Sequence, residues 1–245
     1  MLQSKSILAV FLVLSFFFHE AQAGRLRDRM FWWRKPSVIG YAKLPAAHAT
    51  LINRKNKVQY MEGTQVPLQK IGTGLYLEND PTSWLGADED WYCVFKADKQ
   101  KLKDIDKIWI PRAYKKSTPV GPQKQDLWGV SEDDIVDYIE SMSSELKLTS
   151  GSKKALRLYQ NYQLLMLIPK QTITDGDLGL WAQCFETEDE LDDFSDDVIR
   201  WKSWGVKGDR GTDAFEPNEE DWYFEPLDFF ADYLPWGTKN SPRRA

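Results

Sequence analysis

Nucleophilic or metal chemistry in this sequence would have to run through very few residues. The chain holds two histidines, His19 and His48, and two cysteines, Cys93 and Cys184. His19 falls in an apolar leader, so a Ser-His-Asp or Cys-His relay would depend on His48. That residue sits among alanines with no nucleophile motif nearby, and it reads as a structural histidine. One histidine and two distant cysteines do not make a zinc site of the usual kind, and no metal is expected. A glycosidase needs two carboxylates across a cleft. The chain has 37 acids, but most lie in runs such as Glu188 to Asp197 that suit a solvated helix face. The sequence has no Walker-type phosphate loop, and Gly72-Thr-Gly74 alone reads as backbone leading into a strand. Lys96 to Lys107 is basic but interleaved with Asp98, Asp104 and Asp106, and reads as a solvated face.

The elements that would position these residues can be read in order. Residues 1–23 have the three parts of a signal peptide: Lys5, an apolar run from Ile7 to Phe18, and Ala21-Gln22-Ala23 before the cut. The run is about a dozen residues, short of the roughly 20 that span a bilayer. A secreted, extracellular chain without stable membrane insertion is therefore expected, starting near Gly24; an uncleaved anchor is the alternative. Entry into other cells is left open. The cysteines then pair most simply as one disulfide, Cys93–Cys184, closing a loop of roughly 90 residues worth about 4 kcal/mol in the chain-entropy model. Two buried free thiols are the alternative. A formal charge of −5 argues against general nucleic-acid binding. The 11 Trp, 10 Tyr and 12 Phe argue for a folded core.

Residues 24–37 form a basic aromatic arm, read as a leader whose rings dock on the domain, with electrostatic or lipid contact as the alternative. Residues 38–211 form the main domain. Strands are expected at Val38–Tyr41, Gly72–Leu77, Trp91–Lys96, Lys107–Ile110, Tyr162–Ile168 and Leu180–Phe185. A helix should follow Pro45. Arg112 to Gln125 reads as a Pro-, Gly- and Lys-rich loop. Ser131 and Asp134 have capping spacing before a helix with Ile135, Tyr138, Ile139 and Met142 inward. Thr187 to Glu190 is a capping box, opening a helix with Leu191, Phe194, Val198 and Ile199 inward. Residues 212–245 form an acidic aromatic tail, with eight acids and eight aromatics between Thr212 and Trp236. It either wraps the domain or binds a partner. Strands in succession with interspersed helices make an α+β fold.

Three blocks carry a family resemblance. They are Val38-Ile-Gly-Tyr-Ala-Lys43; Ile71-Gly-Thr-Gly-Leu-Tyr-Leu77 ahead of Trp84 to Val94; and Tyr162-Gln-Leu-Leu-Met-Leu-Ile-Pro169 ahead of Leu180 to Cys184. Their order resembles secreted ADP-ribosyltransferase-like proteins, including fungal enterotoxin-like and effector families, over roughly Val38 to Gly205. The resemblance implies a split mixed β-sheet with flanking helices. It also implies a cleft for nicotinamide dinucleotide lined by Tyr41, Gly72, Gly74, Tyr76 and Gln163. Active members place Arg or His on the first strand and Glu at the start of the third block. Here Ala42 and Gln163 stand there. A methyl group cannot hold the nucleotide, and a neutral amide cannot face a developing cation with charge. Glu186 is the substitute carboxylate if the register differs.

The resemblance therefore implies a degenerate member: a secreted effector or virulence-type protein that binds a host or competitor protein, with no cofactor expected. NAD enters only if the chain is an active mono-ADP-ribosyltransferase toxin. A cell-wall interaction protein is the third reading.

Overall fold

In a computed structural model of the chain, the structure describes residues 36–63, 70–82, 86–161 and 163–211. The leader, nearly all of the arm, the tail and Tyr162 lie outside the described residues. The strands are β1 (Ser37–Leu44), β2 (Gly74–Glu78), β3 (Trp91–Ala97), β4 (Lys107–Trp109), β5 (Ala113–Thr118), β6 (Gly121–Asp126), β7 (Leu156–Gln160), β8 (Leu164–Pro169) and β9 (Trp181–Phe185). The helices are α1 (Ala46–Asn53), α2 (Lys99–Asp104), α3 (Glu132–Leu146), α4 (Lys170–Asp175) and α5 (Glu188–Phe194), with a 3₁₀ turn at Trp201–Ser203.

This is an α+β fold built on a mixed seven-stranded sheet of order β4-β7-β8-β2-β1-β3-β9. Only β4 and β7 run parallel. At the centre β1 and β2 share a single register pair, Tyr41↔Glu78, while β1 pairs with β3 from Ser37↔Ala97 to Leu44↔Trp91. The sheet thus opens into two leaves, β4-β7-β8-β2 and β1-β3-β9. Ser131 caps α3 by accepting the Asp134 N–H, and the acids of the first turn suit the helix dipole. Ile135, Tyr138 and Ile139 of α3 then pack on Tyr76, Leu165 and Leu167 of the first leaf.

Both outer edges of the large sheet are closed. On β9, Asn53 accepts the Cys184 N–H at 2.8 Å and donates to the Cys184 carbonyl at 2.8 Å. Two residues earlier the Ala182 N–H reaches the Asn56 carbonyl, and the Asn56 amide donates to the Ala182 carbonyl. Alternate residues of an edge strand point their polar groups outward, and the end of α1 and the turn after it meet two in succession. On β4 the Lys207 N–H donates to the Lys107 carbonyl at 2.8 Å, and the Trp109 N–H donates to the Lys207 carbonyl at 2.9 Å. The Lys207 ammonium is pinned to Asp106 at 2.6 Å.

The disulfide forms between Cys93 and Cys184, which face each other in the β3–β9 register with Cα atoms 4.0 Å apart. It locks the second leaf at its capped edge.

Several expectations are corrected. Arg112 to Gln125 is no loop: most of it forms the β5–β6 hairpin, a separate two-stranded sheet. It carries little apolar pattern because it packs mainly at its root, through Tyr114 against Tyr138. The helix from Thr187 stops at Phe194, since Ser195 is extended. Phe194 and Val198 are therefore exposed, while Leu191 and Ile199 are buried. Lys96 to Lys107 is not one solvated face. Lys107 is buried and donates to the Leu102 and Ile105 carbonyls. Lys96 lies over the rings of Trp181 and Phe194. Strand β7 and helices α2 and α4 were not anticipated.

Candidate functional site

The opening between the leaves is where a split sheet could hold a ligand, and the segment after α5 enters it. Beyond Tyr41↔Glu78 the Ile39 carbonyl has no strand partner; it accepts the Trp201 indole N–H at 2.8 Å. On the β2 side, the Ile199 N–H donates to the Asn79 carbonyl at 2.8 Å and the Asn79 amide donates to the Ile199 carbonyl at 3.3 Å. Residues 199–201 thus bridge the two leaves, and Trp201 is fully buried. The position of Gly40 explains the fit. A Cβ there would lie 2.8 Å from the Glu78 carbonyl and 2.9 Å from Leu77 Cβ, closer than real contacts allow, and 3.0 Å from the Trp201 ring, which is tight, so the approach of β2 requires a glycine.

Tyr41 is held by the same segment. Its hydroxyl meets Ser195 Oγ at 2.9 Å and donates to the Asp197 carbonyl at 2.8 Å. Burial raises its pKa, partly offset by the bond to Ser195, so the phenol stays neutral and committed.

The glycine-rich block lies at the other end of β2 and has its own architecture. Arg157, fully buried on β7, donates to both oxygens of Glu132, at 2.9 and 2.6 Å, and to the Ile71 carbonyl at 3.0 Å. Glu132 also accepts the Thr73 N–H at 2.7 Å. A Cβ on Gly72 would fall 2.1 Å from Arg157 Nη1, and its φ of +109° favours glycine independently. A Cβ on Gly74 would fall 2.1 Å from the Ile168 carbonyl. The Tyr76 hydroxyl accepts the Ile71 N–H and donates to the Gly72 carbonyl. Burial drives its pKa well above the ordinary phenol range. Both glycines serve close packing, and the ion pair of buried Arg157 with half-buried Glu132 orders this loop.

Gln163 is half-buried in the β7–β8 turn, where its carbonyl accepts the Asn161 N–H. Tyr76 pairs with Leu167, four residues from Gln163 along the chain, or about 13 Å at strand spacing. The structure thus does not gather Tyr41, Gly72, Gly74, Tyr76 and Gln163 around one cleft. Ala42 is buried opposite Cys93, and Glu186 is exposed just past β9. His48 is buried, donates its Nε2–H to the Gln59 carbonyl at 3.2 Å, and has its pKa lowered by burial.

An open groove of about 450 Å³ lies along the inserted segment. It is lined by Asn79, Gln160 and Leu164 together with residues 198–203. Sequence reasoning missed it. Its one sequence signal was Trp201, a tryptophan flanked by charged residues after a helix stop. No His, Cys, Asp and Glu cluster able to hold a metal occurs among the described residues. No helix among them is long and apolar enough to cross a membrane.

Fold and site together define an α+β protein with a split sheet whose opening is filled by its own tryptophan. A family model described as a family of unknown function (DUF5910) matches residues 69–209, more than half the chain, and the chain belongs to that family. The matched stretch runs from the segment before β2 through Trp201 to just beyond Lys207. No curated protein and no solved structure matches the chain.

Proposed function

We propose that this chain is a secreted effector or virulence-type protein on an ADP-ribosyltransferase-like frame, which binds a host or competitor protein and performs no transfer. The frame is supported by the order of the three sequence blocks and by a sheet that splits between β1 and β2. Secretion is supported by the leader and by a disulfide, which persists in oxidising compartments.

One observation carries the non-catalytic reading: Trp201 fills the opening between the leaves and donates to Ile39. Nicotinamide dinucleotide does not fit these residues. The Tyr41 and Tyr76 hydroxyls are committed within the chain, and Ala42 and Gln163 replace the groups that would hold the nucleotide and stabilise a cation. Freeing the space would mean extracting a buried tryptophan, at a cost of about 3 kcal/mol in apolar burial alone.

The test is calorimetric titration of the disulfide-bonded protein with NAD⁺, followed by assay for released nicotinamide. No heat and no nicotinamide are expected. Nicotinamide release that disappears in Gln163→Ala would establish the active toxin instead.

A further inference from the structure

The seven-stranded sheet has both edges closed by the chain; among the described residues the β5 edge of the hairpin sheet is not closed. Its ladder continues to Arg112 and Leu127, where the Leu127 N–H donates to the Arg112 carbonyl. Hydrogen-bonded and non-hydrogen-bonded pairs alternate from there. Counting along the register, Ala113↔Asp126, Lys115↔Lys124 and Ser117↔Pro122 are the non-hydrogen-bonded pairs. Their backbone groups point away from the partner strand. On the β6 edge Pro122 has no N–H to offer, which spoils that edge for pairing. On the β5 edge Ala113, Lys115 and Ser117 keep every outward N–H and carbonyl, and none is hydrogen-bonded to backbone among the described residues.

The charges on this edge are unusual. Lys115 and Lys124 stand directly opposite each other in a close pair, an arrangement that destabilises a sheet. Arg112, Lys115, Lys116 and Lys124 are all exposed, and none has an acidic partner among the described residues. Single lysines on an edge guard against aggregation. Two lysines set against each other do more than that purpose needs, and their repulsion is relieved when an anion lies between them.

We propose that the β5 edge is a docking site for an acidic, extended segment of a partner protein, which adds as a third strand with its carboxylates over Lys115 and Lys124. Main-chain bonds to Ala113, Lys115 and Ser117 supply the affinity, and the lysine pair selects acidic sequence. This rests on the binding reading above and names the chemistry of the partner.

The test titrates the full disulfide-bonded protein into a dye-labelled peptide of alternating Glu and Val, read by fluorescence anisotropy. Saturable binding is expected. It should weaken at least tenfold in Lys115→Glu and with a peptide N-methylated at alternate residues, and it should fall with added salt. Lys99→Glu, on α2, should leave it unchanged. Lys115→Glu keeps a charge on the edge, so the variant should stay monodisperse by light scattering. No binding by the unaltered protein overturns the proposal. Equal binding by Lys115→Glu, or by the N-methylated peptide, overturns it too. So does binding of heparin or of phosphatidylserine vesicles with no binding of the peptide. Nicotinamide release is measured separately: peptide binding together with turnover would sink the non-catalytic reading and leave this site standing.

Discussion

The β9 edge and the β5 edge belong to one chain and are treated oppositely. At β9, Asn53 and Asn56 satisfy the outward groups of two alternate residues, and a disulfide clamps the strand to its neighbour. At β5 the same kind of outward groups have no backbone partner among the described residues and lie beside a pair of like charges. An exposed strand edge is a template for any other strand, and proteins usually blunt it. A chain that closes β9 with two asparagines and β4 with the backbone of Lys207 shows that it can do so. That β5 lacks such a closure among the described residues fits the docking proposed for that edge.

The comparison can be attacked from its strongest contrast downward. Cys93→Ser with Cys184→Ser removes the clamp on the closed edge, and the lost loop constraint of 91 residues should cost about 4 kcal/mol. Urea unfolding of the double variant reads this directly. A second pin closes β4. Burial alone would raise the Asp106 pKa. Lys207 and the N–H groups of Ser150 and Thr149 outweigh it and hold the group at about 2, below its ordinary 3.8. A folded pKa below the unfolded one stabilises above the unfolded value and is lost as pH falls from about 4 to about 2. Unfolding free energies from urea titrations at pH 7 and pH 2 should therefore differ by about 2 kcal/mol less in Asp106→Asn than in the unaltered chain. Asn53→Ala strips the cap from Cys184 and should cost about 1–2 kcal/mol, with faster hydrogen exchange confined to β9. Lys115→Glu relieves the repulsion across the hairpin and should raise stability by a few tenths of a kcal/mol. A loss of stability there would show that the lysine pair belongs to the fold and not to a partner.

Much of the closed region was legible in the amino-acid order. Apolar runs marked β1, β2, β3, β4, β8 and β9, because these strands lie in the core. Ser131 and Thr187 marked two helix starts, since their side chains bond the backbone three residues on. The two cysteines suggested their bond, though only the β3–β9 register shows why it forms. The open region was illegible for a physical reason. A hairpin packed only at its root has little apolar rhythm, so lysine, proline and glycine read as a loop. Strand β7 was hidden by Arg157, whose charge is matched by Glu132 from 25 residues away. The segment at 199–201 has no period at all. Its place is set by Ile39 and Asn79, bonds across more than a hundred residues that no local pattern encodes.

The cross-link has a consequence for the chain when it is cut. Cys93 and Cys184 bracket β4 through β8 in a covalent ring, with the hairpin inside it. The hairpin tip carries Val120, 83% exposed, and exposed tips are where proteases nick folded chains. A nick at Pro119–Val120 would release nothing. The two pieces would stay tethered through sulfur and travel as one molecule until a reducing compartment separated them.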